Sequence, residues 1–193
     1  LGSLIAALAS CLDARAQQGS WLVRIDDLDP PREESGATAS ILQSLRCHAL
    51  HWDEDILYQS HRSLAYQKVL DTLQATGLLF ACDCPRVKLD ANGNGGGGCR
   101  RRQTGITGPA ALRAHLSEGS VIRFTDQLQG QQTLASGQPI NDFVVRRRDG
   151  LNAYQLAVVV DDAEQGITDI VRGADLLLST PRQIWLQRQL GLP

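Results

Sequence analysis

The 193-residue chain contains no methionine, and only 5% of its residues are aromatic. The missing methionine predicts that the native start lies outside this chain. No apolar run approaches the roughly 18 residues that a membrane-spanning helix needs. The apolar segment over residues 4–12 has no basic region before it, which favours a buried helix over a secretory signal. We therefore expect a cytoplasmic protein that has no membrane partner.

An excess of positive charge is also missing, because the formal net charge is −2. The chain as a whole therefore lacks the composition of a basic nucleic-acid binder. Its arginines are nevertheless clustered in two triplets, over residues 100–102 and 146–148. Such runs are usually solvated surface, and contact with phosphates is the alternative. The length fits one soluble globular domain, or one domain with a small insert.

Cysteine is scarce, and its count of five is odd. Cys11 and Cys47 lie alone in apolar helical stretches, which predicts buried small side chains. The other three cluster around a glycine-rich loop: Cys82, Cys84 and Cys99. Without a secretory signal, metal binding is a better interpretation than a disulfide framework. Three thiolates favour zinc, and His115 is one candidate for the fourth ligand. The alternative to a metal site is three reduced thiols on the surface.

Hydrophobic periodicity predicts alternating helices and strands, and no internal repeat is visible. The predicted helices cover residues 4–17, 33–50, 62–77 and 109–118, with a last helix that opens at Thr180-Pro181. The predicted strands cover residues 21–25, 78–82, 121–124, 142–146 and 167–171. Residues 154–162 fit either period. Ser3 is a candidate cap of the first helix. The order of strand, helix and strand predicts βαβ units.

Three further patterns indicate ligand binding. Gly2 precedes a helix whose N-terminus favours anions, although most such glycines are simple turns. The run RIDDLDPPR over residues 24–32 places carboxylates at the exit of a strand, where open α/β sheets bind ligands; a solvated acidic turn is the alternative. Tyr154 and Arg172 could bind a small acidic substrate, or they could be a core tyrosine and an arginine paired with an aspartate.

These features, in this order, resemble the catalytic domain of the glutamyl-tRNA synthetase family of class I aminoacyl-tRNA synthetases. The resemblance covers essentially the whole chain. Its most specific stretches are residues 1–8, 24–32, 149–162, 167–175 and 180–183. Gly2-Ser3 and Pro30-Pro31-Arg32 are most similar to the short glutamyl-queuosine tRNA(Asp) synthetase branch, which lacks the anticodon-binding domain.

The resemblance implies an α/β fold: a Rossmann-like class I catalytic domain with an inserted small zinc-binding subdomain, truncated at both ends. Residues 1–81 would be the first half of the nucleotide-binding domain. Residues 82–140 would be the inserted zinc-binding or acceptor-type subdomain, and residues 141–193 the second half of the catalytic domain. The segments outside the chain would carry a signature histidine and a lysine-bearing loop, so the chain alone is expected to be inactive.

The resemblance also implies a ligase that acts as a monomer. It would activate L-glutamate with ATP and Mg²⁺ to glutamyl-adenylate, and then transfer glutamate to the queuosine base of tRNA(Asp). Gly2 would let ATP approach the backbone. Asp26, Tyr154 and Arg172 would contact glutamate. The zinc ligands would be Cys82, Cys84 and Cys99, and the resemblance assigns no residue a catalytic role of its own.

Two positions depart from the family pattern. Asp26 stands where the family usually has glutamate, and its side chain is one methylene shorter. Gly95 stands where the family has a tyrosine as the fourth zinc ligand. Three alternatives stay open: a fragment of a canonical glutamyl-tRNA synthetase, a non-catalytic tRNA-binding paralogue, and a small zinc-stabilised binding module.

Overall fold

A computed structural model describes residues 2–84, 99, 108–117, 119–136 and 139–193. The glycine-rich loop, the first arginine triplet and Gly95 lie outside the described residues. The chain divides into two compact units. The first contains Leu1–Ser63 and Gln165–Leu177, and the second contains Leu64–Glu164 and Leu178–Pro193. Within the described ranges, no helix combines the length and apolar character needed to cross a membrane.

The first unit is built around a short βαβ arrangement. Its elements are α1 (Gly2–Ala16), β1 (Arg24–Ile25), a 3-10 turn (Pro30–Arg32), α2 (Ala37–Cys47), β2 (Leu57–Tyr58) and a second 3-10 turn (Gln59–Arg62). β1 and β2 pair in parallel, and α2 lies between them in the chain. The predicted βαβ order is therefore confirmed here, although β2 falls in a stretch where no strand was predicted.

The core of the first unit forms between α1, α2 and the segments that flank β1. Its buried side chains are Cys11, Trp21, Val23, Leu42, Leu45 and Leu50. The prediction of a buried Cys11 is confirmed. The prediction of a buried Cys47 is wrong, because this last residue of α2 is exposed while Leu42 and Leu45 are the buried residues of the helix. α1 already begins at Gly2, so Ser3 lies inside the helix, and the prediction that it caps α1 is wrong.

A surface ion pair ties the end of α1 to the chain that follows α2. Arg15 donates from Nη1 to Asp53 Oδ2 at 2.6 Å and from Nη2 to Asp53 Oδ1 at 3.2 Å. The backbone N–H of Trp21 donates to the same carboxylate at 2.8 Å. The bonds from Arg15 and then from Trp21 lower the pKa of Asp53. These contacts fix the end of α1 and the residues before β1 to the chain around Asp53.

The second unit contains most of the strands. It comprises α3 (Ser63–Ala75, from Leu64 onward), β3 (Leu79–Cys82), β4 (Ala111–Ala114), β5 (Val121–Asp126), β6 (Gly130–Ser136), β7 (Pro139–Ile140), β8 (Phe143–Arg146), α4 (Tyr154–Glu164) and α5 (Thr180–Leu190). β3, β4 and β8 form an antiparallel sheet with β4 in the centre. β5 and β6 form a hairpin, and β7 pairs in parallel with β6.

Two of the elements predicted from the sequence are wrong. The helix over residues 109–118 is replaced by β4, because pairing with strands on both sides outweighs local helix propensity. The strand over residues 167–171 is irregular chain. Its β-branched residues favour a strand. No strand of the described residues pairs with it. The ambiguous stretch at 154–162 is helical and forms α4.

A buried polar pair joins α3 to α4 in the core of the second unit. Tyr66 and Asp161 are both 0% exposed, and the Tyr66 hydroxyl donates to Asp161 Oδ2 at 2.8 Å. The other buried side chains of these helices and of α5 are mostly apolar, and they include Leu70, Leu73, Leu156 and Leu186. A carboxylate in such surroundings is costly unless its oxygens accept hydrogen bonds. The pair therefore fixes how α3 packs against α4.

Candidate substrate-binding and metal-binding residues

The carboxylates that follow β1 have different surroundings. Asp26 comes directly after the strand and is exposed, with its Oδ1 2.9 Å from Arg24 Nε. Asp27 accepts the backbone N–H of Ser60 at 2.8 Å and its hydroxyl at 2.6 Å. Asp27 therefore ties the exit of β1 to the turn after β2. Asp26 is the carboxylate that faces solvent, with one oxygen oriented by an arginine.

The rest of the acidic run folds into a local turn. Pro30 opens the 3-10 turn, since its fixed φ suits a first helical position. Arg32 Nε lies 3.5 Å from Asp29 Oδ2, and the Arg32 N–H donates to the Asp29 carbonyl at 2.8 Å. Arg32 thus pairs locally, as the solvated-turn interpretation predicts for this residue.

Gly2 is the first residue of α1 and is exposed. A Cβ built on Gly2 would meet no heavy atom within 4 Å, so the backbone at this point borders open space. The unpaired N–H groups of a helix's first turn carry partial positive charge and attract anions. The start of α1 is therefore accessible to an anionic ligand.

The predicted glutamate contacts are divided between the units. Asp26 and Arg172 belong to the first unit, and Tyr154 belongs to the second. Arg172 is half-buried within the irregular segment that follows α4. Tyr154 is half-buried at the first residue of α4. Beside it, Gln155 Nε2 donates to Ser179 Oγ at 2.9 Å, which anchors the start of α4 to the start of α5.

The three clustered cysteines come together, as the sequence predicts. The Sγ atoms of Cys82, Cys84 and Cys99 all lie within 4.8 Å of one another, and those of Cys84 and Cys99 are 3.1 Å apart. None of the three cysteines forms a disulfide bond, and two of them are buried. Three sulfurs at this separation match the ligand preference of a soft divalent metal such as zinc. The donor set therefore fits the implied metal in type and placement.

The predicted fourth ligand is not part of this cluster. His115 follows β4, and its Nδ1 lies 3.5 Å from Asp142 Oδ1. Among the histidine, cysteine and acidic side chains that the structure describes, the metal-compatible group contains the three cysteines alone. His115 therefore lies beside Asp142, the residue that precedes β8, rather than beside the thiols.

The local environment keeps the Cys84 thiol protonated. A hydrogen bond with Cys99, then burial, then contact with Cys82 raise the pKa of Cys84 to about 12. Burial and a neighbouring thiol both disfavour the thiolate. Because a metal binds thiolates, its binding at this cluster must release protons from the thiols. The metal ion itself supplies the positive charge that stabilises the thiolates.

Arg148 supports the cysteine turn, a role that was not predicted. Its Nη2 donates to the carbonyl of Asp83 at 2.7 Å and to that of Cys84 at 3.1 Å. The acceptors are backbone atoms, so no side-chain pattern in the sequence indicates this contact. The other arginines of its triplet also bond within the chain, Arg146 to the Gly150 carbonyl at 3.3 Å and Arg147 to Asp149 at 2.6 Å.

Known proteins resemble the chain over nearly its whole length. A protein from Pseudomonas putida named Glutamyl-Q tRNA(Asp) synthetase is 54% identical over 191 residues, which cover 98% of this chain and 63% of the relative. One of the same name from Ectopseudomonas mendocina is 50% identical over 192 residues, which cover 100% of this chain and 65% of the relative. The chain thus spans a little under two thirds of these relatives.

Two solved structures share the fold. A glutamate tRNA ligase from Elizabethkingia meningosepticum, crystallised with its amino acid, superposes with a TM-score of 0.83 at 22% identity. The match covers 99% of this chain and 44% of the ligase. A glutamate-tRNA synthetase from Elizabethkingia anophelis gives a TM-score of 0.84 at 22% identity, with 100% and 45% covered.

A family model extends over the whole chain. The model described as tRNA synthetases class I (E and Q), catalytic domain, matches residues 1–104 and 98–193. Together with relatives above 50% identity, this match establishes the family and confirms the predicted class I catalytic-domain fold. The chain belongs to the catalytic domain family of the class I tRNA synthetases for glutamate and glutamine.

Proposed function

We propose that the chain carries the glutamate-activating core of an enzyme that forms glutamyl-adenylate from L-glutamate and ATP. The enzyme then transfers glutamate to the queuosine base of tRNA(Asp), and acts as a monomer. The observation that carries the proposal is 54% identity, over 98% of the chain, to a protein named Glutamyl-Q tRNA(Asp) synthetase. Identity at this level over nearly every element favours a shared substrate class.

Asp26 is proposed to bind the ammonium group of glutamate, and Arg172 its side-chain carboxylate. Asp26 is exposed after β1 and has one oxygen held by Arg24, so its carboxylate is oriented to accept hydrogen bonds from an ammonium group. Arg172 is half-buried, and its planar guanidinium suits the side-chain carboxylate of glutamate. Tyr154, at the start of α4, is proposed to contribute a hydroxyl contact.

ATP is proposed to bind where α1 begins. The open backbone at Gly2 lets a nucleotide approach, and the helix N-terminus favours its phosphates. The α-carboxylate of glutamate would attack the α-phosphate of ATP in line and release pyrophosphate. Mg²⁺ would offset the charge of the phosphates. Such chemistry depends mainly on positioning and charge stabilisation, because the substrate itself supplies the nucleophile.

Zinc is proposed to bind Cys82, Cys84 and Cys99, together with one further donor. When bound, the metal would supply a structural cross-link between the end of β3 and Cys99. Arg148 would hold the carbonyls of the Cys82–Cys84 turn while the thiols lose their protons. The cluster lies in the second unit, away from Asp26 and Arg172 in the sequence, so we assign zinc no part in adenylate formation.

The proposed acceptor is tested with labelled glutamate and the full-length protein. We expect ATP-dependent incorporation into tRNA(Asp) that contains queuosine, and none into tRNA(Asp) with guanosine at that position. Removal of the RNA's 3′-terminal adenosine before the reaction should leave incorporation intact. Label on the 3′ end of tRNA(Glu) would instead identify a canonical synthetase. A complete lack of incorporation, together with tRNA binding, would identify a non-catalytic paralogue.

Metal binding is tested with Co²⁺, whose bonds to thiolates give an intense near-ultraviolet absorption band. We expect the band to appear in the wild-type protein and to be lost in Cys84→Ser, because one of three clustered thiols is removed. Cys47→Ser is the matched control, since Cys47 is an exposed cysteine at the end of α2 and should leave the band unchanged. An equal band in Cys84→Ser would contradict the assignment.

A further inference from the structure

Arg182, in the first turn of α5, has an incompletely satisfied guanidinium. The residue is half-buried, and its Nε is buried without a hydrogen-bond partner in the described part of the chain. A guanidinium carries five N–H donors and no acceptor, so only an electron-rich group can satisfy it. Leaving such a donor dry and unpaired destabilises the folded state unless a ligand compensates.

A second arginine lies close to Arg182. Arg113 is in the central strand β4 and is only 5% exposed, and its Nη2 donates to the backbone carbonyl of Asp142. α5 packs on the neighbouring strand through an edge-to-face contact of Trp185 with Phe143, whose ring centroids are 5.8 Å apart. Phe143 is paired across the ladder with Ala114, the residue after Arg113. The two arginines therefore belong to α5 and to the sheet on which α5 packs.

The electrostatics at Arg182 indicate a missing anion. Burial, and then the charge of Arg113, lower the pKa of Arg182, and no carboxylate contributes to this shift. A second donor in this unit is also unsatisfied, since Asn141 Nδ2 is buried without a hydrogen-bond partner among the described residues. Asn141 directly precedes Asp142, to which Arg113 is bonded. The unsatisfied atoms at Arg182 and Asn141 are donors, and a group with several acceptor oxygens complements them.

We propose that Arg182 and Arg113 form a binding site for a phosphate group. A tetrahedral phosphate offers more acceptor oxygens than a carboxylate and can engage two guanidinium groups at once. The phosphate is either free inorganic phosphate or a phosphodiester of an RNA backbone, and the experiment separates these two sources. The site shares no residue with the proposed glutamate contacts or with the thiol cluster.

The site predicts a stability trade-off that a purely structural arginine would not show. In phosphate-free buffer, Arg182→Gln removes a desolvated charge and should leave the Tm of the protein unchanged or raise it. Wild-type protein should gain about 2–4 °C in Tm when inorganic phosphate is added well above its Kd, since a ligand that binds only the folded state stabilises it. The Tm of Arg182→Gln should not rise when phosphate is added.

Matched variants make this measurement decisive. Arg188→Gln, which changes an exposed arginine on the same helix, should keep the full phosphate-dependent gain. Arg182→Lys keeps the charge without the planar fork and should show a reduced gain, which covers the case in which Arg182→Gln fails to fold. A Tm that falls equally in both buffers for Arg182→Gln, with the phosphate gain retained, would overturn the proposal.

The source of the phosphate is distinguished by RNA binding. If the site takes a backbone phosphodiester, Arg182→Gln should weaken tRNA binding and lower the slope of log Kd against log salt concentration by about one, and tRNA should compete with inorganic phosphate. If the site takes free phosphate, tRNA binding should match wild type while the phosphate-dependent gain in Tm is lost. If Arg182→Gln retains both the phosphate-dependent gain in Tm and the wild-type salt dependence of tRNA binding, the site is refuted.

Discussion

Replacing Arg172 with alanine is expected to reduce glutamate-dependent pyrophosphate exchange by the full-length protein at least about 30-fold. The substitution removes the proposed partner of the substrate's side-chain carboxylate. Leaving one member of a desolvated charge pair without its partner costs about 2–5 kcal/mol, which corresponds to roughly a 30- to 4,000-fold loss of kcat/KM. The measurement is exchange of labelled pyrophosphate into ATP at several glutamate concentrations.

Two variants separate this role from a general loss of structure. Arg172→Lys keeps the charge but not the two-pronged geometry, so it should recover part of the exchange. Arg188→Ala changes an exposed arginine on α5 and should retain the wild-type rate. Wild-type exchange in Arg172→Ala would show that another group binds the carboxylate. A gain of activity with glutamine in that variant would support the assignment, since a neutral amide no longer leaves a charge unpaired.

Replacing Asp161 with alanine is expected to destabilise the second unit strongly. Both Asp161 and its donor Tyr66 are 0% exposed, so the variant leaves a buried hydroxyl without its acceptor and creates a cavity between α3 and α4. We expect a decrease of about 2–4 kcal/mol in the free energy of unfolding. Urea denaturation followed by circular dichroism measures it.

A double-mutant cycle identifies the interaction. Tyr66→Phe removes the donor while it keeps the ring, so it should cost about 1–1.5 kcal/mol, and the two substitutions together should cost less than their sum. Asp71→Asn is the control, because Asp71 is an exposed carboxylate on the same helix as Tyr66 and should change stability by less than about 0.5 kcal/mol. Strict additivity of the two core substitutions would show that the hydrogen bond is not the source of the loss.

The helices were predictable wherever amphipathic spacing and end signals agreed. α1, α3 and α5 lie close to their predicted positions, and Gly77, with a φ of 72°, follows the end of α3 as expected for a glycine that stops a helix. β4 was not predictable from its own residues, because both strands that pair with it lie far away in the sequence. Its strand pairing is a long-range effect that local propensity does not contain.

The candidate site was predictable in residue type more than in detail. The three clustered thiols come together as spacing predicts. The sequence does not distinguish Asp26 from Asp27, because the difference is the bonding of Asp27 to Ser60, 33 residues later in the chain. Arg148 could not be predicted as a support of the cysteine turn, because it bonds to backbone carbonyls rather than to a partner side chain.

The discontinuity of the first unit has a consequence for biosynthesis. Leu1–Ser63 and Gln165–Leu177 belong to one compact unit, yet the second segment leaves the ribosome only after the intervening chain. At about 5–20 residues per second, that interval lasts roughly 5–20 s. The N-terminal segment must therefore wait for its last part, which includes Arg172, while Leu64–Glu164 is already available to fold. A nascent chain stalled before Gln165 would expose the surface that this segment normally covers, and would be a natural substrate for chaperones.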